Sequence, residues 1–181
     1  MRGLLLLLVG AAFVAPPAAA QLIPGTVPPE NVAQAVDEAR MVLCTLAAGG
    51  RPMGGLNMDL VGGEGYTPLA KVPEPLARFV QSAPPQRMVE YRAPGGPLWI
   101  VHDPSTGRCG IYTFAEAAPI EAKLLASLGL SSMWKRKKDG GPGIDHLFEW
   151  KVDRSLRLRT EISRPHAPGE PFVVVVRPAG R

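Results

Sequence analysis

Leu98-Trp-Ile-Val-His-Asp-Pro-Ser-Thr-Gly-Arg-Cys-Gly-Ile-Tyr-Thr113 sets two runs rich in β-branched and aromatic residues on either side of Pro-Ser-Thr-Gly. That is the composition of two strands joined by a tight turn. Pairing Asp103 with Arg108 across the turn puts His102 opposite Cys109 and Ile100 opposite Ile111 on one face. Upstream, residues 87–92 have the same character, and Ala-Pro-Gly-Gly-Pro separates them from Leu98, so the three segments form a meander. Downstream, residues 132–138, 145–152, 156–163 and 172–177 read as further strands.

Two amphipathic helices accompany the strands. Val32, Val36, Ala39, Leu43 and Leu46 recur every three or four residues, which lays an apolar stripe along a helix over residues 30–48. Gly49-Gly50 ends it. Gln34, Asp37, Glu38 and Thr45 lie opposite the stripe, so this helix is expected to bury one face only. A second helix over residues 119–128 has Pro119 at its first position and Gly129 just past its end. Residues 49–73 are rich in glycine and proline and are expected to be irregular, with a short helix over residues 74–81 after them. Gly62-Gly-Glu-Gly65 lacks the lysine-serine ending of a nucleotide loop and is expected to be a surface loop. No alternation of strand and helix is present, which disfavours a parallel doubly wound sheet. The expected fold is α+β: a single, mostly antiparallel, twisted sheet of six to seven short strands with two amphipathic helices packed on one face.

Three features at the start of the chain indicate an export leader: Arg2, an apolar run over residues 3–14, and Ala18-Ala-Ala20 before Gln21. Pro16 and Pro17 stop the run short of the roughly 20 apolar residues that a spanning helix needs. Cleavage near Ala20 is therefore expected, with a periplasmic or extracellular location and no transmembrane segment afterwards. Residues 21–29 are punctuated by proline and are expected to be an extended arm, leaving residues 30–181 as one α+β domain. Twenty glycines and twenty prolines imply many turns. Without Arg2 the chain holds 19 Lys and Arg against 16 Asp and Glu, an excess too small to imply nucleic-acid binding.

The chain has two cysteines, Cys44 and Cys109. In an oxidising compartment they are expected to form a disulfide, which would bring the first helix onto the face that holds Ile100, His102 and Ile111. Closing a loop of that length stabilises a fold by about 4 kcal/mol in the chain-entropy model. His102 beside Cys109 is also the minimum equipment for a thiol nucleophile, but no Cys-His signature surrounds Cys109. His102 is expected to be an ordinary hydrogen-bonded histidine near the rim of the helix-sheet interface.

Two registers compete in the hairpin around Val152-Asp-Arg-Ser155. A three-residue loop buries Phe148, Trp150 and Val152 with Leu156, Leu158, Thr160 and Ile162, while a two-residue loop sets the aromatics beside Arg157 and Arg159 as a stacking platform. The first keeps the apolar residues together and is the expected one. Lys135-Arg-Lys-Lys138 is the densest charge cluster. Arg136 and Lys138, together with Arg157, are candidate contacts for an anionic envelope polymer or lipid headgroups, weak and salt-sensitive. Alternatively, the lysines protect an edge strand from aggregation.

His102, His146 and His166 have no metal spacing, no serine nucleophile motif occurs, and no carboxylate pair stands out as acid and base. Neither a cofactor, a metal nor a catalytic residue is therefore assigned. The expectation is a small exported, disulfide-stapled protein with a non-enzymatic binding or structural role in the cell envelope. The alternative is an envelope hydrolase or thiol-dependent enzyme using His102 and Cys109.

Overall fold

The computed structural model describes residues 29–50, 66–80, 87–138 and 140–180. The leader of residues 1–20, nearly all of the arm of residues 21–29 and the glycine-rich residues 62–65 lie outside the described residues. Among the described residues, no helix is long and apolar enough to cross a membrane.

Eight strands form one antiparallel sheet: β1 (Tyr66–Leu69), β2 (Arg87–Ala93), β3 (Gly96–Asp103), β4 (Arg108–Thr113), β5 (Trp134–Lys137), β6 (His146–Lys151), β7 (Arg157–Ser163) and β8 (Phe172–Pro178). Their spatial order is β1-β2-β3-β4-β8-β7-β6-β5. The sheet is thus two four-stranded meanders joined at the middle, where Ile111 of β4 faces Val174 of β8. The chain reaches the far edge through α3 (Ala117–Leu130). A helix of that length spans about 21 Å at 1.5 Å per residue, enough to cross four strand spacings of about 4.8 Å.

The strand count exceeds the six to seven expected because Tyr66–Leu69 pairs with β2, with Tyr66 opposite Tyr91. This strand contains Pro68, which a sheet tolerates at its edge. The expected short helix over residues 74–81 reduces to a single 3₁₀ turn, Glu74–Leu76. α3 begins at Ala117, two residues ahead of Pro119, and runs past Gly129.

The first helix is continuous but not uniform. It starts as α1 (Val32–Glu38), capped by the Asn31 side chain, widens to a π-helical segment (Ala39–Cys44), and ends as α2 (Thr45–Ala48). The wider turn shifts the apolar stripe, so Ala47 is buried while Leu46 is only half-buried. Asp37 is buried as well, which corrects the one-sided helix expected above. α3 packs beside the helix, and between them Arg40 forms an ion pair with Asp37 at 2.7 Å and donates to Ser127 Oγ at 3.2 Å.

Both helices contribute to one core with the same sheet face, including Leu98, Ile100, Ile111, Phe148, Leu158, Ile162 and Val174. On the other face Leu76 and Val80 cover Met88, Trp99, Val101 and Tyr112. The β6–β7 hairpin adopts the three-residue loop: Trp150 faces Leu158, and the Val152 amide donates to the Leu156 carbonyl at 3.0 Å. Phe148, Leu158, Thr160 and Ile162 are buried and Trp150 and Leu156 half-buried, but Val152 is exposed.

Candidate functional site

Because β8 lies between β4 and β7, two turns that are distant in sequence meet at one end of the sheet. One joins β3 to β4 and the other joins β6 to β7. Together with the end of α2 at Gly49 and Gly50, and with Pro178 to Gly180 at the end of β8, they enclose a pocket of about 350 Å³. That volume falls within the range of small-molecule sites.

Each turn is held by its own aspartate. Asp103 Oδ1 accepts from the Ser105 amide at 2.9 Å and from Ser105 Oγ at 2.6 Å, and its Oδ2 accepts from Thr106 Oγ1 at 2.8 Å. Asp153 Oδ1 accepts from the Ser155 amide and hydroxyl and from the Leu156 amide. Hydrogen bonds from Ser105 and then Thr106 hold the Asp103 carboxyl below its ordinary range, and those from Ser155 and Leu156 do the same for Asp153. Gly107 closes the first turn with φ of +69°, and a Cβ there would lie 3.2 Å from Pro178. Glycine is therefore required both by the backbone and by the close approach of β8.

His102 lines this pocket from β3. It is 2 % exposed, and neither ring nitrogen has a hydrogen-bond partner among the described residues. The expectation of an ordinary hydrogen-bonded histidine is thus overturned: the residue stands between Cys109 on one side and Arg87 on the other in register, and neither hydrogen-bonds its ring nitrogens. Burial lowers its pKa from the ordinary value, the Arg87 charge across the ladder lowers it further, and Asp103 opposes both. The balance favours the neutral imidazole, in which one nitrogen can donate and the other accept.

Cys44 and Cys109 are joined in a disulfide, with Cα atoms 5.1 Å apart. The bridge fastens the helix to β4 directly beside His102. Cys109 therefore presents no free thiol for His102 to activate. Among the described residues no group of three or more His, Cys, Asp or Glu side chains is arranged to hold a metal ion.

The three candidate anion contacts are not brought onto one face. Arg136 lies opposite Phe148 on the helix-covered side of β5, and Lys138 follows the strand end. Arg157 belongs to the opposite side of β7 and is at the far end of the hairpin, opposite Lys151. Arg136 Nη2 contacts His146 Nδ1 at 2.9 Å, and His146 Nε2 contacts Glu121 at 2.6 Å. Since a guanidinium only donates, His146 Nδ1 accepts and its Nε2–H donates to Glu121. Arg164 joins this group through Glu121 at 3.8 Å and also pairs with Asp145 at 2.9 Å.

Sequence reasoning placed His102 beside Cys109 but did not reach the rest of the pocket. The two Asp-capped turns carried a local signal, the spacing of aspartate before serine. What brings them together is the insertion of β8 between β4 and β7, which no local pattern encodes. No protein-family model matches the chain, and comparison with curated proteins and with solved structures also found no match.

Proposed function

We propose that this chain is an exported, disulfide-stapled binding protein of the cell envelope whose ligand site is the pocket over His102. The observation that carries the assignment is a buried imidazole with two unfilled hydrogen-bonding positions at the wall of a pocket. An unpartnered buried polar group costs about 1 to 3 kcal/mol, and a ligand that pairs with it recovers that loss. Export is supported by the leader-like residues 1–20 and by the disulfide, since such bonds persist in oxidising compartments. Binding is preferred to thiol chemistry because the sulfur of Cys109 is already bonded.

The test combines secretion with ring-nitrogen NMR. The full chain expressed in a secreting bacterial host should appear outside the cytoplasm with Gln21 as its first residue and no titratable thiol. In the purified protein, small molecules that raise the melting temperature should shift the His102 ring nitrogens, and His102→Leu should lose that binding. Ligands that bind with the His102 resonances unmoved would place the site elsewhere.

A further inference from the structure

We propose that the side of β5 to β8 facing away from the helices, with the apolar corner at its hairpin end, docks on an anionic lipid bilayer. The pocket over His102 plays no part in this docking. Strand alternation sends Phe148, Leu158 and Val174 to the core and their chain neighbours to the opposite side. Lys135, Lys137, Lys151, Arg157, Arg159 and Arg177 all lie on that opposite side, where Glu149 and Glu161 are the only carboxylates these strands contribute. The adjoining turns leave the excess unchanged, since Arg154 offsets Asp153 and Arg108 offsets Asp103 across its ladder. Among the described residues, Leu76 and Val80 cover this side of β2 to β4 and reach only Val173 of β8.

The positive charges are placed against stability. Lys151 stands directly opposite Arg157, and Arg159 directly opposite Arg177; like charges so placed destabilise a sheet. Glu149 and Glu161 relieve the second pair, accepting from Arg159 at 2.8 Å and from Arg177 at 2.6 Å. Among the described residues no carboxylate lies within ion-pair distance of Lys135, Lys151 or Arg157. Protection of an edge strand accounts for the lysines of β5, but β7 and β8 are interior strands. An anionic partner supplies the missing countercharge, and apolar side chains decide which one. Of five large apolar residues exposed among the described residues, three flank one end of this side. Leu130 ends α3 and is 88 % exposed, Met133 precedes β5 and is 53 % exposed, and Val152 follows β6 and is 38 % exposed. Trp134 opposite Trp150 sets the start of β5 beside the end of β6, so Met133 and Val152 share this corner with Lys151. A dissolved polyanion gives such side chains nothing to enter, whereas a bilayer receives them beneath the headgroups that the cations bind.

Vesicle cosedimentation tests this with the disulfide-bonded protein lacking residues 1–20, whose apolar run would itself enter lipid. The protein should bind vesicles of equimolar phosphatidylglycerol and phosphatidylcholine far more tightly than vesicles of phosphatidylcholine alone, and the binding should weaken as salt rises. Lys135→Gln, Lys151→Gln and Arg157→Gln combined should weaken it about a hundredfold, at about fivefold per cation. The melting temperature of that variant should be unchanged or raised, because a like-charge pair is lost. Leu130→Gln with Met133→Gln should weaken vesicle binding about tenfold at unchanged melting temperature, and should leave binding to soluble polyphosphate as it was. No binding at low salt, equal affinity for both vesicles, or native affinity in the triple variant would each overturn the docking side. Tighter binding to polyphosphate than to vesicles, indifferent to the apolar variant, would overturn the bilayer and make the partner a soluble polyanion.

Discussion

On the proposed reading of the pocket, His102 sets stability against binding. Its two bare ring nitrogens make the folded protein less stable than an apolar side chain of similar size would. We expect His102→Leu to raise stability by about 1 to 2 kcal/mol near pH 8 in urea unfolding, while abolishing ligand binding. A loss of stability instead would mean that the ring is needed for packing. The same residue predicts a pH dependence. Its pKa is lowered in the folded protein, by burial first and by Arg87 next. The unfolded chain therefore takes up a proton that the folded protein refuses as pH falls through roughly 6.5. The contribution to stability is complete above that pH and is lost as pH drops towards the lower folded value. Urea midpoints from pH 8 to pH 5 should decline less in His102→Leu than in the native protein, and parallel declines would assign the effect to other groups. The sequence made the cross-strand neighbour of His102 legible through the Asp103–Arg108 turn. Its lack of a partner was not legible, because hydrogen bonding at that position depends on which distant segments pack there.

Individual elements were legible where local chemistry alone decides them. β2 to β4 and the β6–β7 hairpin form close to where composition and turn residues place them, and the hairpin register follows from keeping Phe148 and Leu158 on the core side. β1 escaped because four residues containing Pro68 carry almost no strand signal and depend on β2 for pairing. The first helix escaped differently. A regular 3.6-residue period puts Asp37 opposite the apolar stripe, yet α3 covers it, and the π-helical turn that follows holds Arg40 against it. Thr45 Oγ1 donates to the Arg40 carbonyl at 2.9 Å, supporting the widened turn. We expect Asp37→Ala to destabilise the protein by about 3 to 5 kcal/mol, since it strands a buried guanidinium. Replacing both partners, Asp37→Ala with Arg40→Met, should restore most of that loss, because two apolar groups need no countercharge. Additive losses in the double variant, measured by chemical denaturation, would show that the pair contributes little beyond the separate packing of each side chain. Trp150→Ala should cost about 3 kcal/mol, the low end for a large aromatic, because Trp150 is only half-buried against Trp134.

At the scale of the whole molecule, a helix followed by a four-strand meander occurs twice, and the last strand of each meander meets the other at the centre of the sheet. No repeat is visible in the sequence, because each half needs only the same pattern of apolar faces and turns, which many residue choices satisfy. The disulfide staples the first half alone: Cys44 on its helix and Cys109 on its last strand. Yet Cys109 faces Val176 across the central seam, and one continuous core includes Ile100 and Ile111 from the first half with Phe172, Val174 and Val176 from the second. Loosening the staple should therefore weaken both halves together. We expect the double variant Cys44→Ala, Cys109→Ala to lose about 4 kcal/mol, the chain-entropy value for a sequence separation of 65, and still to unfold in one transition. The tryptophans allow the halves to be followed separately, since Trp99 lies in the first and Trp134 and Trp150 in the second. In a Trp99→Phe background, fluorescence reports the second half alone, and its midpoint should coincide with that of far-ultraviolet circular dichroism. Two separated midpoints in the variant lacking the disulfide would mean that the seam between β4 and β8 is too weak to couple the meanders, and that the staple, rather than the shared core, makes the sheet one cooperative unit.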